Sequence, residues 1–322
     1  MERKLKARIA VVIPCYRVKD HIRYVLEKIG ETVDFIFVVD DHCPENSGKY
    51  VEAFNKDRRV KVIYHESNLG VGGAVLTGYK VAIHAGADII VKIDGDGQMN
   101  PDLVPNFIKP LIDGTADYVK GNRFHSRNFL QSMPVLRLLG NSMLSLINKV
   151  VSGYWDIMDP SNGFTAIHGS VVNMLPLERI DKRYFFESDM LFWLSTLRAV
   201  IKDIPMKSVY ENESSSLQIR SVLFEFPMKY CKRFFQRIFY LYFLRDFNAG
   251  TVQLISGIFF TLFSLIFGGI KWLRSMETGI PATSGTVMLA ALPLFVGIQM
   301  FISAINFDIN SVPKNPIQEN RW

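Results

Sequence analysis

Short apolar runs alternate with helical spacing along the amino-terminal part of the chain. Ile9 to Tyr16 is a buried-strand pattern that stops at Pro14 and precedes a helical stretch from about Lys19 to Glu31. Phe35 to Asp41 is wholly apolar until it ends in two acids, and Val60 to Tyr64 is strand-like. Asn68-Leu69-Gly70-Val71-Gly72-Gly73-Ala74 then opens a helix to about Ala85, and the run Asp88 to Ile93 delivers Asp94-Gly95-Asp96-Gly97-Gln98. Continuous apolar strands separated by helices predict a parallel sheet covered on both faces, with ligands bound beyond the carboxyl ends of the strands. The acids and glycines fall at those ends.

Ala116 to Lys120 reads as a further strand, followed by Gly121-Asn122-Arg123-Phe124, and Arg137 to Asn141 lies in a helical stretch. From Arg220 to Arg245 the cations Lys229, Lys232, Arg233 and Arg237 are interleaved with phenylalanine and tyrosine. That composition suits a helix lying in a lipid headgroup layer; a core helix with a solvated basic face is the alternative. Gly250 to Trp272 is almost uncharged and Ser284 to Phe307 wholly so. Each is long enough to cross a hydrocarbon core, which takes roughly 20 residues. The expected organisation is a globular domain over 1–219, an amphipathic juxtamembrane segment over 220–248, two transmembrane helices within 249–309 (250–272 and 284–307) and a polar, disordered-looking tail over 310–322.

Charge sets the orientation. Cations before the first span place the globular domain and the tail in the cytoplasm, with Leu273 to Thr283 outside; Lys271 and Arg274 oppose that bias. Met1 to Arg8 is basic, but the apolar run after it is short and ends at Pro14, so no signal peptide is expected. The net charge of +6 raises nucleic acid as a partner, yet the cations cluster beside the spans and no nucleic-acid motif is present. Cys15, Cys43 and Cys231 have no metal-ligand or disulfide spacing, which leaves Cys15 as a small buried thiol.

Asp94 and Asp96 are the sharpest chemical signal. In an extended segment residues two apart point the same way, so both carboxylates can face one point, with Gly95 and Gly97 turning the backbone around it. Hard oxygens so placed suit Mg²⁺ or Mn²⁺ shared with a substrate's phosphates; a plain Asp/Gly turn is the alternative. A dinucleotide fold would need Gly-x-Gly-x-x-Gly directly after the first strand, where this chain has Pro14-Cys15-Tyr16.

With these motifs the chain resembles the family 2 glycosyltransferases of the GT-A fold: an α/β, Rossmann-like, mixed but mostly parallel sheet. The resemblance implies that Pro14, Tyr16, Asp41 and the segment around Gly70 line a nucleotide pocket, Asp41 reading the base. Asp94 and Asp96 would hold ribose and metal-diphosphate, with Gln98 completing the metal's shell. The glycines alternatively serve only close helix–strand packing.

Gly121-Asn122-Arg123, Arg137 with Asn141, and Asp159-Pro160-Ser161-Asn162-Gly163-Phe164-Thr165 narrow the resemblance to the polyisoprenyl-phosphate branch, which includes dolichyl-phosphate mannose synthases and bacterial two-span relatives. It implies that Arg123, Arg137 and Asn141 bind a lipid phosphate and that Asp159 faces the reaction centre. Thr165 stands where that branch has Arg, and Asn141 where some relatives have Ser. Glu187 or Asp189 would approach the sugar or cap the following helix.

The expected function is metal-dependent transfer of a sugar from a nucleotide sugar, of UDP-glucose or GDP-mannose type, to undecaprenyl or dolichyl phosphate at the cytoplasmic (inner) membrane. Asp96, Asp159, Arg123 and Arg137 would carry the catalysis. The branch also admits a homo-oligomer, such as a tetramer, through the membrane helices. Two rival readings are a membrane glycosyltransferase with a lipid-linked or polysaccharide acceptor, and a non-enzymatic scaffold that keeps the fold.

Overall fold

The computed structural model describes residues 7–125, 135–207 and 219–319. The four apolar runs form β1 (Ile9–Cys15), β2 (Phe35–Asp40), β3 (Val60–Tyr64) and β4 (Ile89–Lys92). Between them lie α1 (Ile22–Lys28), α2 (Ser47–Phe54) and α3 (Val71–His84). Then come α4 (Val104–Ile112), β5 (Tyr118–Asn122), α5 (Val135–Ser152), β6 (Thr165–His168), α6 (Gly169–Met174), α7 (Phe186–Leu197) and β7 (Ile201–Pro205).

Among the described residues seven strands make one sheet in the order β3-β2-β1-β4-β6-β5-β7. The neighbouring pairs are parallel except those made by β6, which runs antiparallel to both β4 and β5. β6 and β7 carry no long apolar run, so periodicity did not mark them. The reversal at β6 has a consequence for the site. Thr165, its first residue, sits opposite both Lys92 and Lys120, so the residues just before it arrive at the carboxyl ends of β4 and β5.

β1, β4 and β5 are buried throughout and β2 nearly so, as expected for strands covered on both faces. On one face of the sheet Val11, Ile13, Ile36, Val38, Ile89, Val91 and Val119 form a core with Val25, Leu26, Phe107, Leu111 and Phe164. Phe107 and Phe164 stack with centroids 3.9 Å apart, fixing the residue that precedes β6 against α4.

The chain divides into two compact units, residues 1–234 with 313–322 and residues 235–312. Most of the segment 220–248 is helical, as α8 (Ile219–Phe239) continued by a π-helical turn over Tyr240–Arg245. Its basic face differs from expectation: Lys229 donates to Asp181 at 2.7 Å, Arg233 to Asp189 at 2.6 Å and Arg237 to Asp308 at 2.7 Å. Three of the four cations read as lipid-facing are therefore paired with carboxylates of the protein. Tyr230 is likewise buried, accepting from Asn148 and packing on Phe185.

The second unit contains α9 (Ala249–Thr278) and α10 (Ser284–Asn310), 30 and 27 residues with mean hydropathy of 1.9 and 2.1 in their most apolar stretches. Both are long and apolar enough to cross a membrane. Asn248 and Thr251 form a capping box that starts α9, and Gly279, with φ of 67°, ends it. The first helix thus runs past Trp272 to Thr278, shortening the expected connection to residues 279–283. Small residues let the pair pack: Ser264 donates to the Ala290 carbonyl, and a Cβ at Gly297 would collide with Thr261. Their outer faces expose Phe259, Ile266 and Phe295, an apolar surface that water does not support.

The tail departs from the disordered reading. The Asp117 carboxylate, fully buried just before β5, accepts from Val200 N (2.7 Å), Ile317 N (3.0 Å) and Gln318 N (2.9 Å), and the Gln318 amide donates to the Ala116 carbonyl. Asp117→Ala would strand the buried Val200 N–H, at a cost of about 1–3 kcal/mol, and the part-buried N–H groups of Ile317 and Gln318 at less each. The variant is expected to melt several degrees lower in detergent and to be cut after residue 312 by a protease that spares the parent, as read by mass spectrometry.

Candidate active site

Asp94 and Asp96 lie just past β4, and the strand's alternation ends before both can use it. Lys92 and Asp94 are the pair it places on one side: Lys92 Nζ is 2.9 Å from Asp94 Oδ1, an ion pair set off the hydrogen-bonding direction. Asp96 falls in the turn, where its Oδ1 accepts from Gln98 N at 3.0 Å. The glycines differ in purpose. Gly97 has φ of 78° and supplies the turn, whereas Gly95 is absent from the left-handed region and is held small by Val18 and Ile22.

Lys92 is 1 % exposed and also donates to Glu187 Oε1 at 3.2 Å. Burial alone would push its ammonium down; Asp94 and Glu187 more than offset that and hold its pKa above the usual lysine range. Glu187 thus pairs with a strand lysine. The helix it sits in, α7, has Phe185 at its N-cap position and no side-chain cap, so the capping alternative is set aside for both acids. Asp189 instead accepts from Arg233 and from Asp181 N.

At the end of β5, Arg123 meets Asp159. Its Nε and Nη2 donate to Oδ2 and Oδ1 at 2.7 and 2.9 Å, its backbone N–H donates to Oδ2 at 3.1 Å, and Asp159 is fully buried. This bidentate fork fixes the guanidinium plane. The motif's later residues hold the rest of the corner. Asn162 donates to Asp159 Oδ2 at 3.2 Å, its carbonyl accepts from Lys120 Nζ at 2.5 Å, and a Cβ on Gly163 would overlap Asp94 Oδ2 and Lys92 Nζ. The loop from Asp159 to Gly163 therefore touches the ends of β4 and β5 together.

On the other side of β4, Asp41 is 3 % exposed, and its carboxylate accepts from Leu69 N, Gly70 N and His65 Nδ1, each at 2.8 Å. Here it shapes the turn that opens α3, where Gly70 has φ of 89°. Gly72 is pressed against Asp181 and Phe186, and Gly78 against Val12, so close packing accounts for both. Pro14 is buried in β1 opposite Val39, and Tyr16 is exposed beyond it under the Arg17 guanidinium. Cys15 is enclosed, and burial, reinforced by Asp40, pushes its thiol up to about 12, which leaves it inert. Arg137 and Asn141 fall within α5, but their side chains lie outside the described residues.

The sequence reading missed Lys92 and Lys120. Each is a lysine inside an otherwise apolar strand, and together they flank Thr165 in register. That position was the signal, since lysine is almost never fully buried unless paired. The carboxylates of Asp94 and Asp96 are hard oxygen donors of the kind a divalent cation takes, and Asp94 Oδ1 is engaged by Lys92. Among the described residues, no three His, Cys, Asp or Glu side chains are grouped to hold a metal, so substrate or solvent oxygens would supply the remaining ligands.

Lys120 has a measurable signature. Burial pushes its ammonium down to about 8, against the pull of Glu187 and Asp159, from the ordinary 10.5. Between those values the unfolded chain binds the proton that the folded chain has lost, so this group makes stability rise with pH across that window. Thermal melts from pH 7 to 10 should show that rise in the parent and lose it in Lys120→Met.

Comparison with known proteins agrees with this geometry. The family described as glycosyl transferase family 2 matches residues 10–174. A UDP-N-acetylglucosamine–dolichyl-phosphate N-acetylglucosaminyltransferase of Methanococcus voltae is 31% identical over 69% of this chain and 93% of its own length. An undecaprenyl-phosphate mannosyltransferase of Micrococcus luteus is 26% identical over 63% of this chain and 84% of its own. Among solved structures, glucosyl-3-phosphoglycerate synthase of Mycobacterium tuberculosis in complex with uridine diphosphate aligns with a TM-score of 0.53 at 18% identity, covering 72% of this chain and 80% of that one. The strand order, the acids beyond β4 and these matches converge: the chain is a GT-A-fold enzyme that belongs to glycosyl transferase family 2.

Proposed function

We propose that the protein transfers a sugar from a nucleoside-diphosphate sugar to a polyprenyl phosphate at the membrane surface. The observation that carries this reading is the loop from Asp159 to Gly163, which sets the carboxylate of Asp94 beside the corner that holds Arg123. A transferase that joins two anionic substrates needs a donor-phosphate site and an acceptor-phosphate site side by side. The relatives named for dolichyl and undecaprenyl phosphate acceptors support the lipid assignment.

In this reading Asp94 and Asp96, with Gln98 beside them, hold a Mg²⁺ or Mn²⁺ ion that neutralises the leaving diphosphate. Structures of the fold neighbour are described with Mn²⁺ and with Mg²⁺, which supports that choice. Pro14, Tyr16 and the Gly70 turn braced by Asp41 border the nucleotide. Arg123, oriented by Asp159, and Arg137 with Asn141 bind the lipid phosphate. A phosphate monoester is largely ionised near neutral pH, so it needs little help from a base. Its oxygen attacks the anomeric carbon, the bond from that carbon to the diphosphate oxygen breaks, and the configuration inverts. Arg123 holds the nucleophile in line, which is positioning and charge stabilisation without a covalent enzyme intermediate.

The two apolar helices are assigned as membrane spans, with the globular domain, the juxtamembrane segment from 220 and the tail from 310 on the cytoplasmic face of the inner membrane. Residues 1–234 and 313–322 belong to one compact unit, which supports placing the globular domain and the tail on one side. The sugar is open: the relatives are named for N-acetylglucosamine and mannose, and neither name favours the glucose expected from the sequence.

Membranes carrying the protein, given undecaprenyl phosphate and labelled UDP-N-acetylglucosamine, GDP-mannose or UDP-glucose, should form a lipid-phosphate sugar from one donor, and chelator should stop it. Asp96→Ala should lower that rate by about 100-fold or more while insertion is unchanged. Sugar appearing only on a lipid-linked or polysaccharide acceptor would replace the proposed acceptor.

A further inference from the structure

Lys92 is enclosed in the sheet at 1 % exposure and is shared by two carboxylates from separate elements, Asp94 after β4 at 2.9 Å and Glu187 on α7 at 3.2 Å. A buried ammonium loses its hydration and is tolerated only where such partners replace it. Thr165 lies opposite it on β6, and Gly163 closes over its Nζ so tightly that no Cβ would fit. Lys120, in the same row across Thr165, donates instead to the Asn162 carbonyl. Of the two lysines, only Lys92 touches an acid assigned to the metal.

The geometry points to Lys92 as a positioning residue, an internal counter-cation that joins Asp94 to Glu187 and competes with a divalent metal for Asp94, so that metal loads with the nucleotide and not before it. The inference rests on the transferase reading above. Its physical basis is charge balance. Asp94 and Glu187 carry two negative charges, and Lys92 cancels one of them inside the protein, where screening is weak. No third acid or histidine joins Asp94 and Asp96 among the described residues. A magnesium-like ion held by one or two carboxylates depends on substrate phosphates for the rest of its shell. An ammonium in contact with one of those carboxylates deepens the dependence. Glu187 moderates it by drawing part of the lysine's charge away from Asp94.

Two substitutions should therefore move metal binding in opposite directions. Mn²⁺ binding to the full-length protein in nanodiscs is read by electron paramagnetic resonance, without nucleotide and with UDP or GDP. The parent should bind Mn²⁺ weakly alone and much more tightly with its nucleotide. Lys92→Met should tighten nucleotide-free Mn²⁺ binding by about tenfold, the scale of one charge–charge interaction in a partly solvated site. Glu187→Gln, which leaves the lysine to Asp94 alone, should weaken it. Turnover at saturating donor and metal should fall in both variants, because the two acids are no longer held in register.

Unchanged Mn²⁺ affinity in Lys92→Met, or weakening in both variants, would overturn the counter-cation role while leaving the transferase reading intact. A parent that binds no Mn²⁺ with either nucleotide would remove both. If Lys92→Met fails to fold, as judged by its elution and near-ultraviolet circular dichroism, Glu187→Gln decides alone: weaker nucleotide-free binding supports the role and unchanged or tighter binding refutes it.

Discussion

The Asp159–Arg123 ion pair, and the loop it anchors, is the constraint on which the site depends. Asp159 is fully buried and would be costly there without a cation; Arg123 supplies two side-chain donors and one backbone donor to it. With that end fixed, Asn162 caps Lys120 and Gly163 lands on Asp94 and Lys92. The antiparallel strand β6 makes this reachable. A parallel strand at that position would begin beside the amino end of β4 and leave the loop at the wrong end of the sheet.

Charge burial is the common device. Lys92, Lys120, Asp117 and Asp159 all sit inside the first unit, and each is satisfied by partners from distant parts of the sequence. Such pairs add little net stability, since pairing mostly offsets desolvation, but they penalise any arrangement that leaves one member alone. Asp117 applies that penalty to the tail, whose backbone at Ile317 and Gln318 completes its shell. Arg237 and Asp308, with the Tyr242 hydroxyl on the same carboxylate at 2.6 Å, apply it within the second unit.

Much of the fold was legible because β1, β2 and most of β4 are apolar on both faces and have an acid or proline at or just past their ends, and because α9 and α10 have uncharged stretches longer than a soluble core helix does. β6 and β7 were not legible. Thr165 to His168 is only four residues long, and Ile201 to Pro205 alternates with Lys202 and Asp203, a pattern shared with many loops. In the candidate site, Asp94, Asp96, Arg123 and Asp159 stand out in the sequence as motifs, yet nothing local shows that Asp159 grips Arg123 across 36 positions. Glu187 and Asp189 read equally well as helix caps until Lys92 and Arg233 appeared opposite them. The basic face of α8 was read towards lipid because the matching acids, Asp181, Asp189 and Asp308, lie far away in sequence.

In the proposed reaction Asp159 works through Arg123 on the acceptor side, while Asp94 and Asp96 serve the donor. Steady-state transfer by Asp159→Asn, with donor and polyprenyl phosphate varied separately, separates the two sides. The amide keeps the shape but loses the charge-assisted fork, so the KM for polyprenyl phosphate should rise at least about tenfold while the donor KM stays within about twofold. A rise confined to the donor KM, with the lipid KM unchanged, would contradict that division.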